Sequence, residues 1–130
     1  MTGSGSAAAR LRDLVLALPR LERNANYVDV PAARTCARQA ALNALAVAAD
    51  AVGDLDRVRI VQMLVFVAST PELGEQSRVA DAASELLVQV LGENGRHART
   101  AIGVAGLPRN SPVEVQLVCT ASQPTERGEP

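Results

Sequence analysis

Apolar positions change their spacing several times along the chain, and each change marks an element. Residues 11–18, LRDLVLAL, are an apolar run closed by Pro19 and read as a first strand. The polar stretch RLERNAN that follows reads as a turn or exposed hairpin. Tyr27-Val28-Asp29-Val30 is either a short second strand or an extended lead into a helix. From Pro31 onward Ala33, Ala37, Ala41, Leu45, Ala49 and Val52 recur at three- and four-residue spacing. Alanine is the best helix former and this spacing makes one apolar stripe, so a helix is expected over 32–52, stopped by Gly53. Its small side chains imply close approach to the surface it covers.

Residues 57–68, RVRIVQMLVFVA, carry the strongest strand signal. From Val61 onward both alternating sets of positions are apolar, the pattern of a strand covered on two faces. Ser69-Thr70-Pro71-Glu72 reads as a helix start, with Thr70 as cap, Pro71 in the first position and Glu72 in the first turn. Val79, Ala83, Leu86, Leu87, Val90 and Leu91 stripe that helix to its end near Gly92, and ENGR turns the chain out of it. The last third reads as a hairpin. Residues 98–106 and 113–121 are its strands and LPRNSP its turn, with Val113, Val115, Leu117 and Cys119 on one face and Glu114 and Gln116 on the other. Gly103 and Gly106 are expected where backbones approach closely or a strand bulges.

The elements define one α+β domain over residues 11–122, between a flexible lead-in (1–10) and a flexible polar tail (123–130). Two helices can cover only one face of a sheet. A central strand apolar on both faces therefore needs a second cover, and a homo-oligomer is the simplest one.

Composition narrows the chemistry. The chain has 130 residues, 48% apolar and 21% charged, with a net charge of −1. No global field draws it to nucleic acid or a membrane, and no apolar run reaches the roughly 20 residues of a membrane helix. The N-terminal residues lack the pattern of a secretory signal, so a cytoplasmic location is expected. All thirteen basic residues are arginine, which removes lysine Schiff-base chemistry and the P-loop lysine. One histidine and two distant cysteines do not make the usual zinc constellations. With no Trp, one Tyr and one Phe there is no stacking platform for single strands. Cys36 and Cys119 read as reduced, buried thiols. His97, beside Arg96, reads as a polar turn residue, and Arg57 and Arg59 as a solvated start to the central strand.

The stretch from Gly53 to Val118 resembles the C-terminal half of the reactive-intermediate-deaminase (Rid, YjgF-like) family. The resemblance lies in an arginine opening a strand, Arg99, a Leu107-Pro108 turn, and a closing strand that starts Val113-Glu114-Val115. ARQAALNALA, residues 37–46, resembles the family's first helix. The resemblance covers about residues 30–120, and more loosely from residue 11. It implies a chorismate-mutase-like subunit, a trimer with clefts between subunits, and hydrolysis of small reactive imines or enamines such as 2-aminoacrylate without a cofactor.

By the same resemblance Arg99 matches the arginine that holds a substrate carboxylate, and Glu114 the glutamate that positions water. Asp81 stands where members often carry asparagine, and Ala101 where some active members carry cysteine; both positions line the substrate site. A Ser-Gly-Gln segment of the family is replaced here by Val15-Leu16-Ala17, and the N-terminal Gly-Pro-Tyr-like motif has no counterpart. Other members of the family are linked to RNA cleavage, but a nuclease role is the weakest reading here, with no basic patch and no Lys/His pair for phosphate chemistry. Two functions lead: an imine-hydrolysing enzyme, or a non-catalytic trimer that binds a small carboxylate-bearing metabolite or serves as a partner subunit. Neither involves nucleic acid or a membrane.

Overall fold

The computed structural model describes residues 5–17 and 28–124. The first element is a helix, α1 (Ala7–Ala17), not the strand that its apolar run led us to expect. The positions 11, 14, 15 and 18 also fit a helical period, and the alanines before them extend it. Ser6 starts the helix by accepting from the Ala9 amide at 3.2 Å. Ala7 is buried and donates its amide to Asp56, and the Arg10 guanidinium donates to the Val90 carbonyl at 2.8 Å. The helix is thereby tied to both ends of the core. The expected turn at 20–26 and the polar tail beyond 124 lie outside the described residues.

Val28 and Asp29 form an extended lead, and α2 (Val30–Val52) follows. Asp29 caps it through the Ala32 amide at 2.9 Å, Pro31 sits in its first turn, and Gly53 ends it in the left-handed conformation at φ 83°. Ala33, Ala37, Ala41, Leu42, Leu45 and Ala48 form its buried stripe.

Strand β1 (Val58–Ala68) is the centre of a three-stranded sheet. Beyond it, Thr70 to Leu73 close a turn through the Leu73 amide and the Thr70 carbonyl. Helix α3 (Gln76–Leu91) begins after that turn, so Thr70 caps no helix and Pro71 lies in the turn. Gln76 secures the start by donating its side-chain amide to the Leu73 carbonyl at 2.7 Å. A 3₁₀ turn at Gly92–Gly95 leads into β2 (Ala98–Val104), which pairs parallel to β1. The parallel pair joined through a helix is the usual way to cross over a sheet face.

Strand β3 (Val113–Ala121) pairs antiparallel with β1, on its other side. The expected hairpin of the last two strands is therefore absent: the order is β2-β1-β3. The intervening turn passes across the end of β1, whose Ala68 amide bonds Pro112 while Ser69 bonds Val104. At Gly103 an added Cβ would lie 2.8 Å from Ser69 Oγ, as expected of a close approach, whereas Gly106 faces open space.

The core lies between α2, α3 and one face of β1. Val58, Ile60, Met63, Val65 and Val67 are buried on that face. The step in register between Ile60 and Gln62 is a bulge that keeps the two halves of the row on one side. The other face of β1 is not covered to the same degree: Val61 is 46% exposed, and Leu64 and Phe66 are half-buried. The fold class is α+β, with α2 and α3 on one sheet face, as expected. Cys36 is half-buried against the core, but Cys119 is exposed, because β3 is an edge strand and its residues 118–121 are all exposed.

Two outcomes follow. A Cβ at Gly95 would land on the Leu87 carbonyl, 2.8 Å from the Val88 nitrogen, so Gly95→Ala must push the 3₁₀ turn off α3. The expected loss is about 1–3 kcal/mol, the scale of overpacking, read as a lower midpoint in urea. Burial raises the pKa of the Cys36 thiol and leaves less thiolate. A thiol reagent at pH 7.5 should therefore modify Cys119 well before Cys36, which peptide mapping over time would show.

Candidate functional site

Arg99 is the second residue of β2 and stands in register with Met63. Met63 points into the core, so Arg99 emerges on the same side of the sheet but at its edge, beside α3. Its Nη1 donates to Asp81 Oδ1 at 2.7 Å and to Ser84 Oγ at 3.2 Å. Asp81 and Ser84 are one turn apart on α3 and so share a face of that helix. The arginine side chain is 24% exposed and the aspartate 48%. An ion pair this open to water contributes about 1 kcal/mol or less to stability. Its effect is orientation: the guanidinium is held by one nitrogen. Among the described residues, Nε and Nη2 have no acceptor, so the edge suited to two parallel bonds with a carboxylate is unused.

Sequence reasoning missed Ser84 and set His97 aside as a turn residue. In the structure His97 Nε2 lies 2.9 Å from Ser84 Oγ, and its Nδ1 lies 2.6 Å from the Gly95 carbonyl. Asp81, Arg99, Ser84, His97 and Gly95 thus form one connected chain of hydrogen bonds. No local spacing signals the pairing of Ser84 with His97. It arises because β2 returns alongside α3.

The other expected site residues lie apart. Ala101 follows Arg99 on the same side of β2, in register with buried Val65, and packs against the core. Glu114 pairs with Phe66, on the opposite face of the sheet, and is exposed. It was expected on the strand next to Arg99, but β1 stands between them. Two strand spacings, roughly 10 Å, and the thickness of the sheet separate the two side chains.

Away from these residues, an open groove of about 380 Å³ between α2 and α3 is lined by Arg34, Arg38, Arg78 and Glu85 among others. Arg34 pairs with Glu85 and Arg78 with Glu75, while Arg38 donates to the neutral Gln89 amide. Among the described residues no cluster of three or more side chains could hold a metal ion, and no helix is long and apolar enough to cross a membrane.

Comparison with known proteins agrees with this architecture. Residues 9–121 match the family model described as "YjgF/chorismate_mutase-like, putative endoribonuclease". The protein Atu1372 of Agrobacterium tumefaciens, of unknown function, is 34% identical with a TM-score of 0.77, over 88% of this chain and 91% of that one. A structure from Shewanella oneidensis described as a "putative endoribonuclease" shares the fold at a TM-score of 0.74 and 24% identity, over 87% of this chain and 97% of that one. Protein TCP17 of Trypanosoma cruzi is 52% identical over 89 residues, 67% of this chain. The matched region spans about half of that relative's length, 53%. The family model matches nearly the whole domain and the fold agrees with solved structures of the same kind: the chain belongs to the YjgF/chorismate-mutase-like family.

Proposed function

We propose that the protein binds a small carboxylate-bearing metabolite at Arg99 and hydrolyses a reactive imine or enamine acid there. The observation that carries this reading is the half-occupied guanidinium. Asp81 and Ser84 fix it through Nη1, and its other edge is left for a ligand carboxylate. Asp81 offsets part of the positive charge, so two parallel hydrogen bonds contribute more to recognition than net attraction does. Hydrolysis adds water across the C=N bond, leaving a keto acid and ammonia.

The reading needs a homotrimer. Glu114 lies on the sheet face opposite Arg99, so within one chain it cannot orient water on a ligand held there. A neighbouring copy packed on the open sheet face would cover Leu64, Phe66, Ile102 and Val118, and its own Glu114 would serve Arg99 only by reaching round the β2 edge. Ile102 and Val118 are 40% and 43% exposed in the single chain, apolar area that association would take out of water. A non-catalytic metabolite-binding trimer is the second reading, favoured by the separation of Glu114 from Arg99 within the chain. A net charge of −1 gives the chain no overall attraction for a nucleic-acid backbone.

Release of ammonia from freshly generated 2-aminoacrylate distinguishes the two readings, being expected for the enzyme and absent for the binding protein. Calorimetric titration with pyruvate should show binding that Arg99→Ala weakens by about 1.5–3 kcal/mol, roughly ten- to a hundredfold. Unchanged pyruvate affinity in that variant would remove Arg99 from the site. Native mass spectrometry at micromolar concentration should find a trimer, and a monomer alone would overturn the assembly.

A further inference from the structure

We infer that Ser84 is a nucleophile, with His97 as its base and Arg99 as the cation beside it, able to take an acyl group from a small, neutral ester. The inference does not rest on carboxylate binding. It begins with the tautomer of the chain's single histidine. A backbone carbonyl can only accept, so the 2.6 Å contact with Gly95 places a proton on Nδ1. In the neutral ring Nε2 then carries a lone pair, and it lies 2.9 Å from Ser84 Oγ. The hydroxyl therefore donates to the imidazole. A serine inside a helix commonly turns its hydroxyl back to the carbonyl four residues earlier. Ser84 instead reaches out of α3 to two residues of another segment.

Activation of a serine needs a base within hydrogen-bond reach and a third group that orients the base. Both are present. Gly95 orients His97, and Gly95 is itself seated against the Leu87–Val88 backbone of α3, the helix that carries Ser84. Base and nucleophile are thus referred to one rigid element. Arg99 Nη1 donates to the same hydroxyl oxygen at 3.2 Å, so negative charge developing on Oγ is met by a guanidinium that Asp81 holds in place. Ser84, His97 and Arg99 are half-buried, and the Asp81 side chain is 48% exposed, so the group opens onto the surface. A neutral ester calls only on Arg99 Nη1, which already faces the hydroxyl, and needs no carboxylate on the other edge of the guanidinium.

In the reaction Oγ attacks the acyl carbon, its proton passes to His97 Nε2, and the bond to the alcohol breaks. His97 returns that proton to the leaving alkoxide. Water, with His97 again as base, then hydrolyses the acyl-serine to the free acid and restores the hydroxyl. A fluorophosphonate probe reports the first step alone: an Oγ–P bond forms, the P–F bond breaks, fluoride leaves, and the proton goes to His97.

The experiment incubates the intact protein with such a probe and follows it by intact mass and peptide mapping. One adduct is expected, on the peptide containing Ser84, and none in Ser84→Ala. His97→Gln, which keeps a polar side chain without a usable base, should label roughly a hundredfold more slowly. Hydrolysis of p-nitrophenyl acetate should fall in parallel. An unlabelled wild-type protein, an adduct on another residue, or equal labelling rates in wild type and His97→Gln would each overturn the inference. If Ser84→Ala fails to fold, the mapped adduct in the wild-type protein decides alone. Loss of pyruvate binding in Arg99→Ala has no bearing on it, so the two readings stand or fall separately.

Discussion

The burial of one face of β1 beneath α2 and α3 is the constraint on which the rest of this subunit depends. Val58, Ile60, Met63, Val65 and Val67 are each no more than 3% exposed there. A side chain of this kind contributes about 1.5–3 kcal/mol when fully buried. The row works as a unit because the bulge after Ile60 restores its alternation. The alanines of α2 then have a clear use, since small side chains let a long helix lie close to the sheet and to α3.

That packing also builds the site. Helix α3 buries Val79, Ala80, Ala83, Leu86, Leu87 and Val90, which fixes its rotation about its own axis. Asp81 and Ser84, on the flank of that buried face, are consequently turned toward the edge where β2 runs. Strand β2 is held in register by seven pairs with β1, so Arg99 and His97 arrive at fixed heights along the helix. The site has no independent framework. It sits at the seam between a helix and an edge strand that the core has already positioned.

The sheet has two unlike faces. One is the core, and the other carries Phe66, Ile102 and Val118 with Glu114 and Gln116 among them. The family's described function is also not uniform with what the site offers. Its description points to ribonuclease action, whereas the residues gathered here are an arginine, an aspartate, a serine and a histidine joined by hydrogen bonds. A shared fold fixes the framework, and the reaction depends on which side chains are set on it.

Local sequence was sufficient for α2, β1, the body of α3, and the strand character of β2 and β3. Each of these carries an apolar period long enough to outweigh its alternatives, and Gly53 and Gly92 mark the helix ends. Family resemblance singled out Arg99, Asp81, Ala101 and Glu114. Tertiary structure decided the rest. It made α1 a helix, because a short apolar run fits both periods and only its packing against the core chooses between them. It set β1 between β2 and β3, which no turn sequence specifies, and so put Glu114 on the face away from Arg99. It joined Ser84 to His97 across a sequence separation of 13, a contact that exists only because β2 returns along α3. Periodicity reports how each segment meets its immediate surroundings. Which segments become those surroundings is settled by burying all the apolar faces at once.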